Sequence, residues 1–533
     1  MMQLDLYNSR MSSDQRVQEL TSADVAALIK SHEALEGQVE QLKHQLAWFK
    51  KQLFGRKSER RLIEPSPQQL SLGENLVVGE VSVVPAQQQV KSHTRRRRQP
   101  ADSDEMTGGL RFDERVPVEV IELDDPATKD VRRDQLEVIG EKVTYRLAQR
   151  PGDYVVLKYV RKVFKNKESG TISSAPAPAG VLERSHADVS FLARLVIDKF
   201  VYHLPLYRQH QRLDDAGIEV SRGWLTQLVH RTASLLEPIY AAQLDSIREG
   251  SVIAMDETPI KAGRKSRGKM KTTYYWPLYG DRDEVAFPWF ASRAGPNVPA
   301  LLGDYAGTLL SDGYAAYASY VAQASDVVHA QCWAHSRRGF VEAEDVEPVL
   351  VTEALARIRR LYAEEEEIVK EKLSGDAKLQ RRVERCKPVV EEFFAWCDEQ
   401  LKDQGLLPTN PFTKALNYVL SRRAELSVFL GDPDVPIDTN HLERALRPVP
   451  LGRKNWLFCW TEVGAKYVGI LQSLLVTCRL HRIHPYDYLV DVLQRIDRHP
   501  ASQVHLLTPR LWKENFAADP LRAPLDSRGN NAA

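Results

Sequence analysis

Three acidic residues sit in contexts suited to phosphodiester chemistry: Asp256 in SVIAMDETPI, Asp312 in GTLLSDGYAAY and Glu443 in DTNHLERALRP. Asp256 and Asp312 each follow a short apolar run that reads as a buried strand, and Glu443 lies early in a segment with helical spacing. Two strand-end carboxylates and one helix carboxylate can converge on divalent metal. Their hard oxygens suit Mg²⁺ or Mn²⁺, and two such ions about 3.5 to 4 Å apart can activate a nucleophile and stabilise the leaving oxygen.

Each acid also has an ordinary structural reading. Asp256 could be a turn residue, with Glu257 as the working acid instead; successive strand side chains face opposite ways, so only one of the pair is expected to enter a site. Asp312 sits in Ser-Asp-Gly, a common turn sequence. With Asn440 as N-cap, Glu443 becomes the N3 residue of a capping box. Occurring together in strand, strand and helix contexts within one α/β block, the three favour a shared metal site. Cys332 and His335 in QCWAHSRRGF have the spacing of half a zinc site, but no second pair of suitable spacing exists in the sequence, so zinc is not expected. They are expected to pack beside the acids, with Arg337 and Arg338 available for phosphate. Arg444 and Arg447 flank Glu443, and Arg447, one helical turn on, could pair with it or hold DNA.

The elements that must position these residues follow a recognisable order. SVIAMDETPI, TTYYWPLYG, EVAFPWFAS and GTLLSDGY read as four short strands, with a basic GRKSRGKMK loop between the first two and a helix, NVPALLGDY, between the last two. Three strands in sequence, a helix and another acid-bearing strand is the order of a ribonuclease H-like core, expected over 251–460. A helical insertion at about 340–435 is too long for a simple connection. A C-terminal helical region is expected at 461–505, and the tail after Pro500 reads as loosely ordered.

Upstream, Val25, His32, Val39, Leu46 and Leu53 fall on heptad a positions and Leu28, Leu35, Leu42 and Phe49 on d positions. A two-stranded coiled coil is expected over 17–57, hence self-association. The span 58–105 reads as a flexible linker carrying an Arg run, Arg95 to Arg98. A small β unit follows at 106–175, and SSAPAPAG marks a boundary. The helical span 181–248 has a helix, a turn with Gly217 and a Ser221-capped second helix opening on Arg222, Trp224 and Thr226. That is the arrangement of a helix-turn-helix DNA reader.

At 533 residues the chain should form roughly three or four domains. Lys plus Arg (73) and Asp plus Glu (72) nearly cancel, so global charge does not argue for nucleic acid. Local clusters do, including GRKSRGKMK and ALRPVPLGRKNW with Arg453 and Lys454. Five scattered cysteines make no disulfide framework, and no apolar run approaches the roughly 18 residues of a membrane span. A cytoplasmic, nucleoid-associated protein is expected.

In this order, MDETPI, LLSDGYAAY, CWAHSRRGF and NHLERALRPVPLGRKNWLF closely resemble motifs of the insertion sequence 66 family of transposases. HLPLYRQHQRLDDAGIEVSRGWL resembles the helical segment before their catalytic domain, and the coiled coil through FGRKSER resembles their leucine-zipper-like region. The resemblance covers about residues 20 to 500. It implies a multidomain α/β protein with a ribonuclease H-like core and an Asp256, Asp312, Glu443 triad holding two Mg²⁺ ions. It also implies cleavage at the ends of a mobile element and strand transfer into target DNA. The partners so implied are terminal repeats, target DNA, a second copy of the chain and small accessory proteins. Cys332 and His335 match a Cys-x-x-His signature found in several transposase groups. One departure is that residues 101 to 175 lack the cysteines of the family's zinc-binding segment, so zinc-assisted end recognition is not carried over. Two rival readings are a ribonuclease H-like nuclease that cuts without joining and a DNA-binding protein with a decayed triad.

Overall fold

A computed structural model describes residues 110–526, apart from 115, 130, 133, 134, 151, 179, 404–406, 457 and 458, together with His32. The coiled coil expected at 17–57 and the linker at 58–105 lie outside the described residues, His32 excepted. The chain is mixed α/β.

The N-terminal β unit is built on two long antiparallel strands, Leu136–Arg150 and Asp153–Asn166, with Val118–Leu123 pairing parallel to the second. SSAPAPAG does not separate this unit from the helices that follow. Leu147 N–H donates to the His186 carbonyl (2.7 Å) and Asp188 N–H to the Leu147 carbonyl (2.8 Å). Arg146 and Arg161 donate to the Pro178 and Ala175 carbonyls, at 2.6 and 3.3 Å. The Pro-rich composition marked a boundary, but two of its carbonyls are taken by arginines of the sheet.

Helices Val189–Phe200 and Leu206–Asp215 lead to a turn in which Gly217 adopts φ +82°, a conformation that favours glycine. Ser221 then caps the helix Arg222–Arg248, its hydroxyl accepting from Trp224 N–H at 3.0 Å. Trp224 stacks on buried Phe191, ring centroids 5.8 Å apart, so this indole packs inward. The long helix reaches the next region directly. Gln243 Nε2 donates to the Val285 carbonyl (2.7 Å) and to Thr477 Oγ1 (3.0 Å), and one continuous apolar core joins the helices, the sheet and the C-terminal helices.

The central sheet has five strands: β1 (Val252–Met255), β2 (Leu278–Gly280), β3 (Val285–Ala286), β4 (Gly307–Ser311) and β5 (Val327–Gln331), in the order β3-β2-β1-β4-β5. β1, β2 and β3 pair antiparallel, whereas β4 pairs parallel with both β1 and β5. Three of the four expected strands are cut in two. Their distal halves, Thr258–Ser266, Lys269–Tyr275 and Trp289–Phe290, form a separate three-stranded ribbon. The cuts fall at Asp256-Glu257, Trp276-Pro277 and Phe287-Pro288, and proline, lacking an N–H, ends pairing at two of them. The basic segment expected as a loop is a hairpin within this ribbon, turning at Gly268 with φ +74°.

After β5 the chain is helical, with Trp333–Val341, Pro348–Lys370, Gly375–Arg381, a π-turn at Arg382–Cys386, Lys387–Asp403 and Pro411–Leu420. Packed rings of Trp333, Phe340, Phe393, Trp396 and Phe412 form its interior. The short helix Asn440–Leu446 carries Glu443, and helices Glu462–Leu480 and Pro485–Arg495 close the core.

Residues 501–526 of the tail beyond Pro500, expected to be loose, are ordered. Its helix Pro509–Asn515 buries Trp512, whose Nε1 donates to Asp491 Oδ1 at 2.9 Å, and Leu525 packs into the β unit. Among the described residues no helix is long and apolar enough to cross a membrane.

Candidate active site

The parallel register of β1 and β4 sets the first two acids side by side. Leu310 pairs with Ala254, and two residues beyond each lies an acid: Asp312 after one, Asp256 after the other. Both carboxylates are fixed locally, Asp256 Oδ1 accepting from Glu257 N–H (2.7 Å) and Asp312 Oδ1 from Tyr314 N–H (2.9 Å). Burial pushes the Asp256 carboxyl up to about 7, helped by the negative charges of Glu257, Asp312 and Glu443 and opposed by the Glu257 N–H. Glu443 therefore contributes to the field at Asp256, despite the long stretch of chain between them.

Asp256 and Glu257 differ in their partners. The Glu257 side chain is only 2 % exposed, forms an ion pair with Arg293, and accepts from Tyr317 Oη at 2.8 Å. Arg293 in turn lies over the Tyr314 ring at 4.1 Å, and Tyr314 Oη donates to the Arg293 carbonyl at 2.7 Å. Glu257 is thus tied to Arg293 and Tyr317, and it too feels the negative charge of Asp312. Sequence reasoning missed Arg293 and Tyr317. Arg293 sits in a loop without a motif, and only the expectation that one of two adjacent acids faces away hinted that a partner was needed.

Glu443 is not the N3 residue of a capping box. The N-cap is Thr439, not Asn440, and no side chain caps at that position. The Thr439 hydroxyl and N–H both point to the sulfur of Cys332, each at 3.3 Å, and Asp438 Oδ1 accepts from Asn440 N–H at 2.9 Å. Cys332, fully buried at the end of β5, therefore supports the third-acid helix from below. One turn further, His335 is held below the usual imidazole range by burial, against the pull of the Asp312, Glu443 and Asp438 carboxylates. Its Nδ1 is buried with no hydrogen-bond partner. The guanidinium beside Glu443 is that of Arg338, Nη2 to Oε1 3.6 Å, rather than that of Arg447.

A cleft of about 850 Å³ opens beside Asp312, lined also by Arg293, His335, Arg338, Lys414 and Tyr418. Gly313 belongs to its wall by necessity, since a Cβ there would come within 2.6 Å of the Tyr418 ring. On the other side of the Trp333–Val341 helix, a second cleft is lined by Arg337, Arg338, Arg359 and Tyr362. Arg444 lies in the field of Tyr279 and His441, and Arg447 is exposed at the end of the Glu443 helix. Arg453 donates to the Pro259 carbonyl at the root of the ribbon, and Lys454 beside it is exposed. Arg222 remains with the helix pair, over the Tyr207 ring at 5.6 Å.

The donor set of Asp256, Asp312 and Glu443 is all hard oxygen, the type that Mg²⁺ and Mn²⁺ take. Burial of Asp256 beside the charges of Asp312 and Glu443 is a cost that a divalent cation would relieve. Among the described residues no three His, Cys, Asp or Glu side chains are drawn together to metal-ligand distances. The fit is therefore one of chemistry and charge.

Residues 184–467 match the family model described as "Transposase IS66 family". Residues 41–121 match "Transposase C of IS166 homeodomain", and residues 473–509 the "IS66 C-terminal element". Two relatives from Sinorhizobium fredii (strain NBRC 101917 / NGR234) are similar along nearly the whole chain. Uncharacterized protein y4hP is 29% identical over 519 residues, covering 91% of this chain and 90% of the relative. Uncharacterized protein y4qI is 28% identical over 534 residues, covering 97% and 96%.

Proposed function

Because the chain belongs to the IS66 family of transposases, we propose that it cleaves DNA at the ends of an insertion sequence and joins those ends to target DNA, with Asp256, Asp312 and Glu443 as its catalytic acids. The observation that carries this reading is the shared register of β1 and β4, which brings Asp256 and Asp312 to neighbouring strand ends, together with the influence of Glu443 on Asp256. Three antiparallel strands in sequence, a helix and two further parallel strands, the acids at the ends of the first and fourth, support a ribonuclease H-like core.

The three carboxylates would hold one or two Mg²⁺ or Mn²⁺ ions, which when bound supply Lewis-acid stabilisation of the phosphoryl oxygens and a more acidic water. The chain's own residues do the positioning. Asp256 and Asp312 stand on rigid strand ends, and Glu443 approaches from a helix whose first turn is held by Cys332 and Asp438. Arg293, Arg338 and Lys414 line the cleft with the charge needed to guide a phosphate chain past Asp312, and Arg337 and Arg359 extend that charge around the helix. His335, held below the usual imidazole range by burial, lines the cleft beside Asp312 without adding a cation near neutral pH. Arg222, Arg444, Arg447, Arg453 and Lys454 provide further phosphate contacts, and binding is accordingly salt-sensitive. Pairing two element ends needs at least two copies of the chain, and small accessory proteins are candidate partners.

The test is cleavage of an element-end duplex in Mg²⁺. Asp256→Ala and Glu443→Gln should each abolish strand cleavage while leaving end binding within about threefold, since neither removes a phosphate contact. Wild-type cleavage rates in either variant would overturn the assignment.

A further inference from the structure

The helical insertion contains a fully buried arginine that links one of the insertion's own helices to the segment leading to Glu443. Arg382 opens the π-turn Arg382–Cys386 and is 0% exposed. Its Nε and Nη2 donate to the two oxygens of Glu365, both at 2.8 Å, a bidentate pair. Its Nη1 is shared among three backbone carbonyls, Phe429 (2.9 Å), Asp432 (3.0 Å) and Val435 (3.0 Å). The guanidinium also lies 5.1 Å from the centre of the Phe429 ring. Those carbonyls belong to the last residues of the insertion, which lead into the Glu443 helix.

The same insertion helix reaches the start of that helix. Tyr362, one turn before Glu365 on Pro348–Lys370, donates its hydroxyl to Asp438 Oδ2 at 2.9 Å. Asp438 Oδ1 satisfies the Asn440 N–H, so the phenol orients the carboxylate that caps the third-acid helix. On the core side, Trp333 N–H donates to the Ile437 carbonyl at 3.1 Å, and Cys332 accepts from Thr439. The segment is clamped between insertion and sheet. The Arg382 charge is paired with Glu365 and its remaining donor is satisfied by the three carbonyls, so losing either set of partners would leave a buried charge short of partners.

We propose that the helical insertion is the positioning frame for Glu443, with Arg382 and Tyr362 as the positioning residues that fix the third acid against the two strand-end acids. This rests on the reading of Glu443 as a catalytic acid. The insertion then serves chemistry by holding a carboxylate that its own strands cannot supply, as residues beyond the direct ligands commonly do in metal sites.

The test uses the full-length protein, comparing wild type with Tyr362→Phe, Arg382→Lys and Glu443→Gln. Tyr362→Phe deletes one hydroxyl without opening a cavity, so it decides the matter even if Arg382→Lys fails to fold. In Tyr362→Phe, amides 440–446 should exchange with deuterium faster while those of β5 are unchanged. End-DNA affinity should be retained and kcat for cleavage should fall by about tenfold or more. Unchanged exchange at 440–446, or a kcat within about twofold of wild type, overturns the proposal. If Glu443→Gln is inactive while Tyr362→Phe behaves as wild type, the positioning role alone fails. If Glu443→Gln cleaves normally, the reading of the site fails and the positioning role with it.

Discussion

Asp256 carries the largest electrostatic strain among the proposed acids, and that strain has a measurable consequence. Its carboxyl is raised to about 7 by burial and by three neighbouring carboxylates, against an ordinary value near 4. A group raised in the folded state contributes stability that is present below the unfolded value and lost as pH climbs through the folded one. In metal-free buffer, wild type should therefore weaken between about pH 4 and pH 7, by up to about 4 kcal/mol. Asp256→Asn should remove that pH dependence and melt higher than wild type at pH 8, with the gain vanishing at pH 4. Equal melting temperatures at pH 8 would show that the Asp256 carboxyl is not raised as described. At this scale the strand-end positions of Asp256 and Asp312 were legible because each ends an apolar run, and strand alternation led us to expect only one of Asp256 and Glu257 in a site. What was not legible was the partner of the other. Arg293 and Tyr317 reach Glu257 from separate elements, and pairing across such distances leaves no local pattern.

At the scale of elements, the core order could be read from periodicity, but its corners could not. Three expected strands continue through the sheet edge into a ribbon, and the apolar alternation that identifies a strand does not report which sheet it joins. β5 escaped notice because His329 and Gln331 interrupt its apolar run. The third-acid helix starts one residue earlier than its sequence suggests, since the Thr439 hydroxyl turns to the Cys332 sulfur and Asp438 takes over the capping. The tail was misread for a similar reason. Its polar residues complete buried charges elsewhere, Arg510 pairing with fully buried Glu284 at 3.2 Å and Trp512 with fully buried Asp491. Truncation after His499 should accordingly lower stability by about 3 to 5 kcal/mol, because it strands a buried carboxylate that had a partner. The urea midpoint of the truncated chain measures this, and an unchanged midpoint would mean that the tail is not part of the fold.

For the whole molecule, the β unit, helix pair, sheet and C-terminal helices share one apolar core, where composition had suggested separable domains. Composition marks where a chain turns polar or proline-rich, but it does not show whether neighbouring pieces then bury their faces against each other. On the proposed reading, such a body would hold end recognition and chemistry in fixed relation, with Arg222 on the helix pair and the acids at the sheet. Local basic clusters on a chain of nearly balanced charge fit a protein that meets DNA along defined surfaces. The central claim is that one acid cluster performs both cutting and joining. It is tested most directly by strand transfer of a precut oligonucleotide, bearing the end of the element that encodes the chain, into plasmid DNA with Mg²⁺, comparing wild type with Asp312→Asn. Joined product from wild type alone is the predicted result. Equal joining by Asp312→Asn, or plasmid nicking by wild type without any joining, would contradict the account.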